Sequence, residues 1–289
     1  MGKIIKIKQI DAFTNKTFSG NPAVVLFGEG LESTEMQDIA KEMNLSETAF
    51  LTNSNKADFK LRWFTPTTEV ELCGHATIAS LHFLHENNLI QNGVSITFET
   101  LSGILKCKME NGKYFMQVPI YNSKVYYGNS KAIINSLGID LNDINKNYPL
   151  TILENGYLYI PLQFLEALSK VNPNYKELLD ISDNGKLFTA AVPFTLEKID
   201  KESYAHLRFF GPYYGINEDP VTGSANGPLL LILMRLGLLK SDEDIISVQF
   251  EQGDFINRKG RIGVVYDKST NELYISGEAI TVLNGELHF

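Results

Sequence analysis

The chain has 289 residues, with 26 Lys+Arg against 34 Asp+Glu for a formal charge of -8, and 44% of its residues are hydrophobic. Those proportions exclude a disordered, collagenous or disulfide-scaffold protein. The acidic balance argues against nucleic acid or an anionic bilayer as partner, because both reward clustered Lys and Arg.

At about 150 residues per domain the length suggests two domains, each able to bury a core unaided. Residues 3–10 alternate as a strand, 34–43 read as a short amphipathic helix, and Glu47 opens a strand-like stretch over 48–52. Helices are expected over 77–88 and 228–239, with strands over 94–98 and 105–109 and a hairpin turn at Asn111-Gly112. The second helix is almost uniformly apolar, as befits a helix surrounded by its own sheet. The first is similar but carries His82 and His85. The polar segment 122–148 is the expected join between the halves.

Cys73 and Cys107 are the only two cysteines, and no cleavable apolar leader precedes the first residues, so a reducing cytoplasm is expected. The most apolar run, 229–234, is cut by Arg235 and falls far short of the roughly 20 residues that a spanning helix needs.

The chain repeats itself. Leu61-Arg62-Trp63-Phe64-Thr65-Pro66 is answered by Leu207-Arg208-Phe209-Phe210-Gly211-Pro212 at an offset of 146, and Cys73-Gly74-His75-Ala76 by Thr222-Gly223-Ser224-Ala225 at 149. Ile96-Thr97-Phe98-Glu99 is answered by Val248-Gln249-Phe250-Glu251 at 152, so the order is kept with small insertions. Each half reads as strand, Pro turn, acidic segment, Gly with a small or polar residue, helix, then strands. A Gly at the start of a buried helix leaves backbone N–H groups at the positive end of the dipole, which makes an anion site. With the halves facing each other, the two helix starts are expected to hold one carboxylate in a shared cleft. Both copies place acids ahead of the Gly (Glu69 and Glu71; Glu218 and Asp219), which packing alone does not require.

Five strings now carry a likeness. They are Asp11-Ala12-Phe13-Thr14 with Phe18-Ser19-Gly20-Asn21-Pro22-Ala23, Asn44-Leu45-Ser46-Glu47-Thr48-Ala49-Phe50, Phe64-Thr65-Pro66, Leu72-Cys73-Gly74-His75-Ala76-Thr77, and Glu218-Asp219-Pro220-Val221-Thr222-Gly223-Ser224-Ala225. In this order they closely resemble the phenazine-biosynthesis PhzF-like isomerase family, over essentially the whole chain. The resemblance implies an α+β, diaminopimelate epimerase-like fold: two pseudo-symmetric halves, each a curved, mostly antiparallel sheet or barrel around a central helix. The halves are expected as 1–118 plus 279–289, and 119–278.

The resemblance also implies a cofactor-independent isomerase or epimerase that moves a proton between carbons of a small carboxylate-bearing metabolite, in a biosynthetic role. Glu47 matches the family's acid–base Glu. Partial burial would raise its pKa into a useful range. His75, at a helix N-terminus where the dipole disfavours imidazolium, should be neutral and act as a hydrogen-bond partner or relay. Asp219 is expected to orient a substrate amine or hydroxyl or to act as the second acid–base group. Gly74, Gly223, Ser224 and Cys73 complete the substrate-binding set. The family's phenazine enzyme has a small non-thiol residue at the position of Cys73. A two-thiol racemase would need a cysteine in both repeats, and Cys73 aligns with Thr222.

No metal is expected, since His82 and His85 lack a third ligand at metal spacing, and no phosphate-binding Gly loop follows a strand. Cys107 reads as a small buried hydrophobe. The expected partners are the small carboxylate substrate and a second copy in a homodimer, with no nucleic acid and no membrane. The alternative is a non-catalytic member that keeps the pocket but only binds a metabolite or a protein.

Overall fold

Alternating patterns form strands and the two apolar stretches form buried helices in the computed structural model of the chain, which describes residues 3–289. The first part contains β1 (Ile4–Ala12), β2 (Asn21–Phe27), α1 (Ser33–Met43), β3 (Glu47–Thr52), β4 (Phe59–Phe64), β5 (Glu69–Val70), α2 (Gly74–Glu86), β6 (Ser95–Thr100), β7 (Gly103–Glu110) and β8 (Lys113–Val118). There follow β9 (Ser123–Val125), α3 (Ser130–Ser136), β10 (Thr151–Leu153), β11 (Tyr157–Pro161), α4 (Leu165–Lys170), α5 (Tyr175–Ile181), β12 (Ala190–Thr195), β13 (Ser203–Leu207), β14 (Phe209–Gly211) and β15 (Ile216–Asp219). The chain ends with α6 (Gly223–Arg235), β16 (Ile245–Gln252), β17 (Gly260–Asp267), β18 (Glu272–Gly277) and β19 (Ala279–His288). It divides into two compact units, one running to Val118 and resuming over Tyr274–Phe289, the other Pro119–Leu273. Among the described residues no helix is long and apolar enough to cross a membrane.

In the first unit β1 pairs antiparallel with β2 and β19, β2 runs parallel to β3, and β3 is antiparallel to β4. β4 then pairs antiparallel with β5 and parallel with β6, and β6, β7 and β8 form a meander. The turn between β7 and β8 is Asn111-Gly112, both at positive φ (50° and 75°), the conformation that a two-residue hairpin with right-handed strand twist requires. α2 is the central helix, buried along almost its whole length from His75 to Leu84. That explains its lack of a polar face.

The second unit repeats the plan. β11 runs parallel to β12, β12 is antiparallel to β13 and β14, β14 pairs with β15, β13 runs parallel to β16, and β16 is antiparallel to β17. α6 is its central helix, buried on nearly every side. It begins at Gly223, five residues before the expected start, and Pro228 lies inside it. There the proline deprives the Ser224 carbonyl of its helical donor, and burial of the surrounding leucines offsets that loss. Segment 122–148 does not act as a join: Ile133, Ile134, Leu137 and Ile139 from this stretch enter the second unit's core. Its polar residues cover the outside of that packing.

The registers show what was duplicated. In the first unit Ala23 pairs with Glu47 and Thr48 with Phe64; in the second Tyr157 pairs with Ala190 and Ala191 with Phe210. Since Phe64 and Phe210 correspond in the repeat, Glu47 corresponds to Ala190. The carboxylate at the head of this strand exists in one unit only.

Candidate active site

Parallel pairing of β2 with β3 puts Asn21 and Glu47 at the same end of neighbouring strands. β4 runs back toward that end, and its exit through the turn at 65–68 and β5 delivers the chain to Cys73, the extended N-cap of α2 (φ -142°, ψ 116°). His75 thereby reaches Glu47. Its Nε2 lies 3.2 Å from Glu47 Oε2 and 3.3 Å from Ser46 Oγ. On the other ring nitrogen, Asn21 Nδ2 stands at 3.2 Å and Cys73 Sγ at 3.6 Å from Nδ1.

Burial pushes the His75 pKa down to about 3, so the ring is neutral near pH 7. With Asn21 donating to Nδ1, the ring's single proton sits on Nε2, whose hydrogen-bond partner is Ser46 Oγ, while the Glu47 carboxylate stands against the same nitrogen. The Glu47 side chain is only 12% exposed, so this contact works in a low-dielectric setting. No side chain caps the start of α2, which leaves its first-turn N–H groups beside Gly74 available to an anion. The Cys73 carbonyl accepts from the backbone and the Oγ1 of Thr77, which fixes the cap (3.2 and 2.6 Å).

The second unit builds its helix start with different chemistry. Thr222 is the N-cap of α6, again without a side-chain cap bond, and its carbonyl accepts from the Nδ2 of Asn226, the repeat counterpart of Thr77 (2.9 Å). Gln252 ties the corner together. Its Oε1 accepts from Thr222 N and Asn226 Nδ2, and its Nε2 donates to the Asp219 carbonyl and Thr222 Oγ1, all at 2.7–3.0 Å. Thr222 Oγ1 donates to the Asp219 carboxylate. Ser224 Oγ lies 3.2 Å from Tyr157 Oη, whose proton is held more tightly than usual because burial raises its pKa.

The sequence-derived residues therefore form two local groups: Glu47, Cys73, Gly74 and His75 at the start of α2, and Asp219, Thr222, Gly223 and Ser224 at the start of α6. The repeated acids divide by role. Glu69 takes Arg62 in a bidentate pair (2.6 and 2.7 Å), and Glu218 takes Arg208 likewise (2.7 and 2.7 Å). Each arginine also lies over the next aromatic but one, Phe64 or Phe210. The repetition of Glu69 and Glu218 is thus explained by structure, correcting the expectation that packing does not require them.

His82 and His85 both meet the Tyr114 hydroxyl (3.0 and 3.1 Å), and His82 Nε2 also reaches Glu86 at 3.2 Å, so the pair is engaged in a side-chain network. Cys107 is buried, and desolvation raises its thiol pKa.

The family model for phenazine biosynthesis-like proteins, PhzC-PhzF, matches residues 10–285. The chain belongs to the PhzC/PhzF family. An uncharacterized isomerase of Clostridium acetobutylicum is 38% identical, with 96% of each chain covered. The uncharacterized isomerase YfhB of Bacillus subtilis is 33% identical over 95% of this chain and 94% of its own. Among solved structures, a PhzF-family protein of Bacillus anthracis superposes with a TM-score of 0.90 at 31% identity, covering 99% of both chains. A hydroxyproline epimerase of Agrobacterium vitis superposes at 0.56 with 11% identity, covering 99% of this chain and 93% of its own, a likeness of fold alone. The relatives' names put this PhzC/PhzF chain among isomerases, on the α+β fold expected for it.

Several site residues of this family member had no role assigned from sequence. Asn21 and Ser46 stood inside the diagnostic strings, but only the fold reveals that they grip the His75 ring. Gln252 and Tyr157 carried no local signal at all. The stretch before Asn21 is strained: Phe13 and Phe18 both sit at φ 62°, where bulky side chains rarely go, and buried Asp11 accepts from Phe18 N at 2.8 Å. Such strain costs about 1–3 kcal/mol and persists where the surroundings enforce it, commonly beside a site.

Proposed function

We propose that this PhzC/PhzF chain is a cofactor-independent isomerase that moves a proton from one carbon to another of a small carboxylate-bearing metabolite. The observation that carries the reading is the Glu47–His75 contact at an uncapped helix start. A largely buried carboxylate stands 3.2 Å from Nε2 of a neutral imidazole, beside backbone N–H groups suited to an acid. In this reading Glu47 takes the proton as base and returns it as acid, while the His75 ring, fixed by Asn21 and Ser46, packs against the carboxylate and positions it. The first-turn N–H groups at Gly74 bind substrate carboxylate and favour charge that develops next to it.

Asp219, kept in place by Thr222 and the Gln252 network, is assigned to orienting a substrate amine or hydroxyl. Gly223 and Ser224 are assigned to carboxylate binding. The absence of a carboxylate at Ala190, the position answering Glu47, supports a one-base mechanism in which the same group removes and delivers the proton.

The test is incubation of candidate carboxylic acids with the protein in deuterium oxide, followed by NMR. An isomerase washes deuterium into a C–H position of its substrate. Tight binding of an acid without any carbon-bound deuterium would replace this reading with that of a binding-only member.

A further inference from the structure

We propose that Glu47, Cys73 and His75 form a capture site for one thiophilic divalent cation of the zinc class, and that capture switches the acid–base group off. The inhibitory half rests on the role proposed for Glu47; the binding half does not. The three side chains offer a carboxylate oxygen, a thiol sulfur and an imidazole nitrogen, and the ligand atoms all lie within 4.8 Å of one another. That mixture suits zinc, cadmium or cobalt and not magnesium or calcium, which favour all-oxygen shells.

The Glu47–His75 pair already has the spacing of two ligands on one ion. Ligands about 2.0–2.3 Å from a tetrahedral metal stand roughly 3.3–3.7 Å from one another. Glu47 Oε2 and His75 Nε2 are already 3.2 Å apart. The Cys73 sulfur stands 3.6 Å from Nδ1, so its side chain must swing round the ring edge to reach an ion held at Nε2.

Second-shell partners are in place. With the metal on Nε2, the ring proton moves to Nδ1, where Asn21 stands at 3.2 Å, and its amide, turned over, presents its oxygen as acceptor. On binding, the Cys73 S–H bond breaks, its proton passes to solvent and the S–metal bond forms without redox change. Carboxylate and thiolate together balance the charge of a divalent ion. The positive end of the α2 dipole opposes the cation, a small cost beside thiolate coordination. Three protein ligands leave a fourth position open, as in a site that exchanges its ion. The second unit has no equivalent, because Cys73 and His75 correspond to Thr222 and Ser224 and Glu47 to Ala190.

Cobalt(II) titration of the full, chelator-treated chain under a phosphine reductant tests the binding half. One equivalent should bind, with tetrahedral d–d bands and a sulfur-to-cobalt charge-transfer band. Cys73→Ser should abolish the charge-transfer band, Glu47→Gln and His75→Ala should each weaken binding by roughly tenfold or more, and Cys107→Ser should change nothing. Circular dichroism establishes that each variant is folded, and the near-isosteric Glu47→Gln serves if His75→Ala is not. A charge-transfer band that survives Cys73→Ser, or none at millimolar cobalt, overturns the site.

Deuterium wash-in separates this proposal from the isomerase reading. Exchange by metal-free protein that one equivalent of zinc suppresses supports both. Exchange without a cobalt–thiolate band removes the metal site alone. A cobalt–thiolate band in the titrated protein, with no substrate exchange by the metal-free protein, leaves the site standing and removes the inhibitory role.

Discussion

Replacing Glu47 with Gln changes the proposed chemistry while barely touching the fold. The amide keeps the size and an oxygen of the carboxylate that stands 3.2 Å from His75 Nε2, so the loss of stability should stay near the roughly 1 kcal/mol of an ordinary hydrogen-bond adjustment. Loss of a positioned acid–base group costs about 100- to 10,000-fold in rate, equivalent to about 2.7–5.4 kcal/mol in the barrier. No neighbour makes good that loss. His75, held down to about 3 by burial, is too weak a base near neutral pH to take over. Turnover and the rate of deuterium entry into carbon should therefore fall together, while calorimetric binding of a substrate-like acid remains close to wild type, since an interaction of the transition state alone is removed. A folded Glu47→Gln protein that keeps more than about a tenth of the wild-type exchange rate would refute the one-base mechanism.

Ser224→Ala removes the hydroxyl that meets Tyr157 at 3.2 Å and should weaken apparent substrate affinity by roughly tenfold with little change in kcat, read from steady-state kinetics; a fall in kcat alone would move Ser224 out of the binding role. Arg208→Ala strands Glu218, in a pair only 7% and 10% exposed, and should cost about 3–5 kcal/mol in denaturant unfolding. Arg62→Ala, whose pair is 18% and 21% exposed, should cost less, and the reverse order would undo the structural account of the repeated acids. Because His75 has its pKa lowered from 6.5 to about 3 on folding, the unfolded chain binds the extra proton between those values, so stability present above pH 6.5 is lost as pH falls toward 3. Between pH 6.5 and 5 the wild type should lose up to about 1.4 kcal/mol per unit more than His75→Asn. Parallel curves for the two proteins would contradict a buried neutral imidazole.

The two buried helices, the Asn111-Gly112 hairpin, the duplication and the family motifs were all legible in the chain, because each rests on local periodicity, turn chemistry or repeated order, although the apolar periodicity placed both helix starts a few residues late. Gly74 and Gly223 announced their helices in this way, and Glu47 was recognised only through its motif. The partners that give these residues meaning lie far along the chain. Asn21 meets His75 across 54 positions and Gln252 meets Thr222 across 30. No local pattern encodes such pairings, since they follow from strand register and from which element crosses back to which edge. Register decided that Ala190 answers Glu47, leaving one carboxylate at that strand head where the repeat alone suggested symmetry. It also gave Glu69 and Glu218 to buried arginines and left Asp219 in the hydroxyl and amide network: acids that look alike in sequence acquire different tasks once packing determines which of them a guanidinium can reach.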